Sequence, residues 1–256
     1  MTGFWPLFKR ELWAYFVTPL GWIALTIFLL LQGWHFALVI DHVAALSAQS
    51  ASPSGAQAGV SLVSGFFGNT VFLYLILFLL IPPLTMRTFA EERRQGTIDL
   101  LLTAPVTNTA MVCAKYFGAL AVYVTWWAPT LLYLGIATQI TAIDWGVVGA
   151  CYLGVGMVGA AYIALGVFAS ALSRNLFSAL LFTVLIVLGL FLFGAVEFVT
   201  AEGTWMHASA RYVSVWSHMA ELAVGVVDSR RVVFYGSITM VSIFLTTHLV
   251  AGWRHE

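Results

Sequence analysis

Acidic and imidazole side chains stand at two places in this 256-residue chain with spacings that could support chemistry. Glu91 and Glu92 resemble the paired glutamates of an E-E-x-x-x-R metalloprotease motif, but position 96 holds glycine instead of arginine, and no H-E-x-x-H occurs. His218 and Glu221 can share one helix face, yet two ligands are too few for a metal site. Surface-exposed polar residues explain that second pair better. The pattern therefore indicates no proteolytic or metal centre.

A nucleotide-binding loop is also missing. The two lysines, Lys9 and Lys115, are followed by arginine and tyrosine, so neither completes the phosphate-cradling pattern G-x-x-x-x-G-K-[ST]. Cys113 and Cys151 lie in apolar stretches without metal-ligand spacing. Eleven basic residues balance eleven acidic ones, which leaves no basic excess for nucleic acid. We therefore expect a non-catalytic chain with no metal or cofactor of its own.

Composition places the chain in a membrane. Hydrophobic residues make up 61% and charged residues 9%, against about 45–50% and about 25% in soluble domains. Long uncharged runs predict an all-α membrane protein, because open sheet edges cannot be satisfied in lipid and the alternation of barrel strands is missing. Six transmembrane helices are predicted, at about residues 20–40, 66–86, 109–138, 145–172, 176–196 and 232–252. Pro129 should kink the third span, and Pro82 and Pro83 should bend the end of the second.

The distribution of Lys and Arg predicts the orientation. With the N-terminus inside, eight cations face the cytoplasm: Lys9, Arg10, Arg87, Arg93, Arg94, Lys115, Arg174 and Arg254. The other side holds Arg211, Arg230 and Arg231. This asymmetry fits the positive-inside rule and predicts that both termini are cytoplasmic.

Few titratable side chains lie inside the predicted spans. Lys115 is close to the cytoplasmic end of the third span, so we expect its ammonium group to snorkel to the interface. His35 and His248 are interpreted as hydrogen-bonded packing or interface residues and not as proton carriers. Because spans without charge disfavour ion pathways, a secondary carrier is poorly supported.

Segment 87–105, between the second and third spans, concentrates charge. Six of the twenty-two charged residues lie there: Arg87, Glu91, Glu92, Arg93, Arg94 and Asp99. Gly96 can end the helix that leaves the membrane, and Thr97 can cap a second short helix. The result would be an elbow that presents charges and a short apolar ridge below the membrane. A solvated loop whose charges only set the topology explains the same residues about equally well.

Residues 3–17 predict an amphipathic helix in the cytoplasmic interface. Its apolar residues cover a sector of about 120°, and Lys9 and Arg10 lie outside that sector. A simple anchor helix would show the same pattern.

Outside the membrane two segments are predicted. Residues 41–65 are rich in Ser, Ala and Gly and predict a flexible loop. Residues 197–231 contain an apolar periodicity around Trp216, which predicts a short helix lying at the outer membrane surface. In the fourth span, Gly146, Ala150 and Gly154 recur every four residues, which predicts close packing within the subunit or against a second one.

These residues resemble a known family. The run Met86–Val106, followed by Lys115–Gly118, is similar to the signature region of type-2 ABC transporter permeases. Within that family, the opening Phe8–Trp22 and the late stretch His218–Tyr235 resemble the gliding-motility GldF group. The resemblance covers nearly the whole chain in matching order.

The resemblance implies a six-span permease that pairs with a second permease, identical or related, and binds two copies of a separate ATPase subunit. ATP and magnesium would bind in that ATPase and not in this chain. By position, an ATPase-coupling region would comprise Arg87, Glu91, Glu92, Arg93, Arg94, Gly96, Thr97, Leu100, Leu101 and Leu102, and the interface helix would contribute Lys9, Arg10 and Glu11.

Two functions follow as hypotheses. The first is the transmembrane subunit of an ATP-driven exporter in a bacterial inner membrane, in contact with lipid. The second is a membrane scaffold that recruits a periplasmic or cytoplasmic machine without moving substrate, for which the outer segment 197–231 could provide the docking surface.

Overall fold

The chain is helical throughout the part that the structure describes. That part, in a computed structural model, comprises residues 3–49, 62–68, 71–98, 103 and 106–253. It contains no strand, and five of its helices are long and apolar enough to cross a membrane. The predicted all-α membrane fold is confirmed.

The N-terminal helix is separate from the first spanning helix. α1 (Phe4–Val17) ends at Thr18, whose backbone is extended (φ −82°, ψ 135°), and α2 (Pro19–Gln49) begins at the next residue. Proline suits the first turn of a helix because its missing N–H needs no partner there. The indoles of Trp5 and Trp13 are exposed on α1, as expected for a helix at the membrane interface.

α2 is longer than predicted. It continues through residues 41–49, so the first part of the expected loop 41–65 is wrong. Ala and Leu in this stretch favour helix, Val43 is buried, and the Ser47 hydroxyl donates to the Val43 carbonyl at 2.8 Å. Residues 62–67 form a further short helix, α3, which buries Phe66 and Phe67.

The second predicted span, 66–86, is divided. Phe66 belongs to α3, and α4 (Val71–Thr85) has only 15 residues. At 1.5 Å per residue it is about 22 Å long, less than the hydrocarbon core of about 30 Å. Pro82 and Pro83 lie close to its end. A turn over 86–89 then leads to α5 (Ala90–Gln95).

The third span consists of two helices. α6 (Asn108–Trp127) is followed by α7 (Thr130–Ala137). They meet at Ala128 and Pro129, where proline removes a backbone donor. Thr107 caps α6, because its hydroxyl accepts from the Ala110 N–H at 3.3 Å.

α8 (Trp145–Leu172) is the centre of the bundle. Its neighbours are α4, α6, α9 (Leu176–Ala195), α11 (Val215–Ala223) and α12 (Ser229–Gly252). Gly159 faces the Tyr123 ring, and Gly166 faces Thr85, so closely that a Cβ at either glycine would overlap its neighbour. Of the glycines predicted to pack closely, Gly154 does so within the subunit, against Leu222 and Met219 of α11.

The outer segment is more buried than predicted. It contains two helices, α10 (Trp205–Val213) and α11, with Ser214 between them as the N-cap of α11. Leu222 and Met219 of α11 pack into the space left by Gly154 on α8. The expected single helix at the surface is thus wrong, because α11 buries its apolar side against the bundle.

Candidate functional site

The predicted elbow is anchored to the C-terminal end of α8 through one hydroxyl. Ser170 Oγ accepts the backbone N–H groups of Phe89 and Ala90, both at 3.1 Å, and donates to the Met86 carbonyl at 3.0 Å. Three backbone groups of the turn before α5 are therefore satisfied by a single buried side chain. Nothing in the sequence around Ser170 signals this contact, because the partners are about eighty positions apart along the chain.

Arg93 connects α5 to two further helix ends. Its Nη1 donates to the carbonyl oxygens of Ala171 at 3.1 Å and Ser173 at 3.3 Å, at the end of α8. The guanidinium also lies 4.6 Å from the ring centre of Trp253, directly after α12. The last carbonyls of a helix lack partners and carry negative partial charge, so an arginine there is favourable.

The C-terminal end of α5, which we call the tip of the elbow, is exposed. α5 ends at Gly96, which has φ +68°. Gly96 was predicted to end the helix that leaves the membrane, and this was wrong because that helix, α4, already ends at Thr85. The N–H groups of Gly96 and Thr97 bond to the carbonyls of Arg93 at 3.3 Å and Glu92 at 3.0 Å, which is a Schellman ending that favours glycine. Arg94, Gly96 and Thr97 are all exposed. The predicted coupling residues Leu100, Leu101 and Leu102 lie outside the described residues.

Four charged side chains from three helices form the core of the site, which we call the charged cluster: Arg10 and Glu11 of α1, Glu92 of α5 and Lys115 of α6. Lys115 Nζ lies 3.0 Å from a carboxylate oxygen of Glu11 and 3.0 Å from one of Glu92. Arg10 Nη2 lies 2.6 Å from Glu92 and 3.1 Å from Glu11. Each carboxylate is therefore shared by the same two cations.

The side chains of the charged cluster are buried to different extents. The Lys115 side chain is 2% exposed, those of Glu11 and Glu92 are 13% and 15% exposed, and that of Arg10 is 54% exposed. The ammonium group of Lys115 also lies 5.1 Å from the ring centre of Phe89. A charge taken out of water must be paired to persist. The expected snorkelling of Lys115 is wrong, because two carboxylates from other helices meet the ammonium group inside the protein.

A cleft of about 400 Å³ adjoins the charged cluster, with Arg87, Glu91 and Tyr15 in its wall. Arg87 Nε donates to Glu91 at 2.7 Å, one helical turn away, and this hydrogen bond raises the pKa of Arg87. The Tyr15 hydroxyl donates to the Leu84 carbonyl at 2.6 Å, and burial raises its pKa well above the ordinary value.

The predicted residues are only partly brought together. Arg10, Glu11 and Glu92 meet in the charged cluster, whereas Lys9 is exposed with its ammonium group 5.5 Å from the Trp5 ring centre. Lys115 was the residue missing from the predicted site. A single cation inside an otherwise uncharged span is the signal that could have found it.

The charged cluster links helices that are far apart in the sequence. The described residues include no group of three or more His, Cys, Asp or Glu side chains that could hold a metal. What the charged cluster can do is connect α1, α5 and α6, three elements that are separate in sequence, through attractions that depend on their relative positions.

Apolar helices long enough to cross a membrane, with charges concentrated where helices end, define a multi-span membrane protein. Residues 42–219, more than two thirds of the chain, match the model of the ABC-2 family transporter proteins. The chain belongs to this family and is a transmembrane component of an ABC transporter. A comparison with curated proteins finds no match. The matched region includes Glu92, Arg93 and Lys115 and excludes α1.

Proposed function

We propose that the chain is the permease subunit of an ATP-driven exporter and forms the substrate path together with a second permease, identical or related. Two copies of a separate ATPase subunit bind ATP and magnesium and hydrolyse ATP. The protein lies in a bacterial inner membrane with both termini in the cytoplasm. Within the family it is similar to the GldF group.

The charged cluster is the observation that carries this proposal. The ATPase approaches the membrane from the cytoplasm, so its movement must reach the spanning helices through the cytoplasmic elements. Glu92 on the elbow shares Lys115 of α6 with Glu11 of α1. A displacement of α5 therefore pulls on a spanning helix and on the interface helix together.

The exposed and anchored parts of the elbow suit two different tasks. Arg94, Gly96 and Thr97 present an exposed tip for the ATPase. Arg93, one residue away, is held by the α8 carbonyls and by Trp253. We assign binding of the ATPase to the tip and transmission of its movement to Arg93 and Glu92.

Two arginine substitutions separate these tasks in a complex purified with its co-expressed ATPase and placed in lipid nanodiscs. Arg94→Ala should weaken retention of the ATPase. Arg93→Ala should leave the ATPase bound but lower nucleotide hydrolysis and transport several-fold, because the elbow loses its attachment to α8. Arg230→Ala, an exposed arginine at the start of α12, is the matched control and should change neither property.

Equal results for Arg93→Ala and Arg230→Ala would remove the role assigned to the elbow. Recovery of the chain without any ATPase would contradict the permease proposal as a whole.

The scaffold hypothesis has one observation in its favour. Phe198, Val199 and Trp205 are exposed at the start of the outer segment, with 66%, 88% and 78% of their surface accessible. Exposed apolar side chains in a cluster are typical of docking surfaces. A scaffold would assemble with its partner independently of nucleotide, and Trp205→Ser would abolish that assembly.

A further inference from the structure

Two polar side chains are buried in α2 without hydrogen-bond partners. Gln32 and His35 lie one turn apart, with 0% and 1% of their surface exposed. Neither the carboxamide of Gln32 nor either ring nitrogen of His35 is hydrogen-bonded within the part of the chain that the structure describes. His35 was predicted to be a hydrogen-bonded packing or interface residue; its packing is confirmed, whereas the described residues supply no hydrogen-bond partner for its ring.

The surroundings of His35 are aromatic. Its imidazole is stacked on Phe66 of α3, with ring centres 5.2 Å apart and an interplanar angle of 14°. The ring of Phe72, on α4, also contacts the imidazole, with ring centres 5.1 Å apart and an interplanar angle of 30°. Phe36, the next residue on α2, meets Phe66 edge to face at 5.9 Å. These rings exclude bulk water but offer no conventional donor or acceptor to the imidazole nitrogens.

Gln32 is equally enclosed, and it lies within the part of α2, Gly21–Ala48, that is apolar enough to cross a membrane. Phe28, one turn earlier, is buried edge-on against Trp127 of α6, with ring centres 5.3 Å apart. Gln32 follows the start of α2 by about 20 Å of helix, which places it within a hydrocarbon core of about 30 Å. Lipid cannot satisfy the carboxamide at this depth.

Unpaired polar atoms in such a place are costly, and proteins ordinarily satisfy them with protein groups or ordered water. Gln32 has two N–H donors and a carbonyl acceptor, and a neutral histidine adds one donor and one acceptor. The rings that contact His35 are those of phenylalanines, which carry no charge to pair with an ionic ligand. The ligand that fits is therefore small and neutral and can both donate and accept hydrogen bonds.

We propose that Gln32 and His35 form an internal site that binds water between α2, α3 and α4. The bound water bridges the two side chains and completes their hydrogen bonding. The site is distinct from the charged cluster, and its hydration does not depend on coupling to an ATPase.

The test uses the full chain in lipid nanodiscs, labelled with ¹⁵N at glutamine and histidine side chains and purified without any cargo. Magnetisation transfer from water to the Gln32 side-chain amide is measured, and the signal is assigned by its loss in Gln32→Leu. We expect transfer from water in the wild-type chain and several-fold weaker transfer in His35→Phe. Val39→Ile, which changes packing on the same buried face of α2 without changing polar atoms, is the matched control and should keep the wild-type signal.

Thermal unfolding gives a second measurement that remains informative if a variant folds poorly. With a shared water, Gln32→Leu and His35→Phe should each lower Tm by about 2–4 °C, and the double variant should lower it no further than either single change. A dry site predicts the opposite, since removing unpaired polar atoms would raise Tm and the two increases would add.

Absence of transfer from water together with additive increases in Tm would overturn the proposal. Transfer to the Gln32 amide from carbon-bound protons of a retained molecule, instead of from water, would also overturn it, because the ligand would then be a hydroxyl compound that co-purifies with the protein.

Discussion

The two ends of the helical bundle are held together by different forces. At the charged cluster, helices α1, α5 and α6 meet through buried ion pairs around Lys115. In the outer segment, α11 packs on α8 through apolar contacts of Leu222 and Met219 with Gly154, and it is joined to α12 by a neutral hydrogen bond of 2.7 Å between His218 Nδ1 and the Tyr235 hydroxyl. Coulomb attraction falls off slowly with distance, so an ion pair persists when its two helices shift slightly. Closely packed apolar side chains resist such a shift because their atoms already touch. The end that carries the charged cluster therefore suits a change of position, and the end formed by α11, the outer end, suits a fixed one.

Removal of the central cation should produce the largest effect. Lys115→Met leaves Glu11 and Glu92 as partly buried carboxylates without their shared partner, and breaking a buried pair costs about 3–5 kcal/mol. The free energy of unfolding, measured by thermal or denaturant unfolding in detergent, should fall by about that amount.

The only other lysine provides the control for Lys115. Lys9→Met alters an exposed side chain and should change stability by less than about 0.5 kcal/mol. Addition of Glu11→Gln to Lys115→Met should restore part of the loss, since one unpaired charge disappears. Equal effects of the two lysine substitutions would show that the charged cluster contributes nothing to stability.

Overpacking at the outer end should lower the free energy of unfolding by a smaller amount. A side chain at Gly154 would overlap Leu222 and Met219, so Gly154→Val should destabilise the protein by about 1–3 kcal/mol. Gly156 lies on the same helix, and a Cβ at this position would meet no atom within 4 Å, so Gly156→Ala should stabilise by about 0.5–1 kcal/mol. Unfolding measurements in which both substitutions behave alike would contradict the assigned contact.

Protonation of His218 should weaken the outer end at acidic pH. Burial lowers the pKa of His218 to about 4, below the ordinary value of about 6.5 for an unfolded chain. Between these values the unfolded state binds more protons than the folded state, so stability falls as the pH decreases from about 6.5 towards 4. His218→Phe should flatten this part of the profile of Tm against pH, and an unchanged slope in the variant would assign the dependence to other groups.

The exposed member of the charged cluster should produce the smallest effect. Arg10 is 54% exposed, and surface ion pairs contribute about 0–1 kcal/mol. Arg10→Gln should therefore lower stability by less than about 1 kcal/mol at low ionic strength, with the difference disappearing in high salt. A loss comparable to that of Lys115→Met would mean that burial does not rank the ion pairs of the charged cluster.

Local signals in the sequence were sufficient for the fold class and for part of the site. Uncharged runs predicted the spanning helices, and the density of charge after the second run located the elbow. Gly96 was recognised as a helix end because a residue with positive φ favours glycine. The two prolines and the shortness of α4 were harder to read, since an apolar run does not reveal where a helix stops inside it.

Long-range contacts could not be predicted in the same way. Lys115 lies 104 positions from Glu11, and Ser170 lies 80 positions from Ala90, so no local periodicity connects them. His218 was interpreted with Glu221 as a surface-exposed polar pair, because two ligands are too few for a metal site. Its burial depends on the fit of α11 against α8, which only the packed structure provides.

The shortness of α4 makes membrane thickness a variable for this protein. α4, at about 22 Å, is shorter than a hydrocarbon core of about 30 Å, and local thinning of the bilayer is one way in which a membrane accommodates a short apolar helix. The exposed side chains of Leu75 and Leu79 show that one face of α4 is open to such a boundary. Lipids with shorter acyl chains would relieve the mismatch, so transport rates measured in bilayers of graded chain length should report on the energetic strain around this helix.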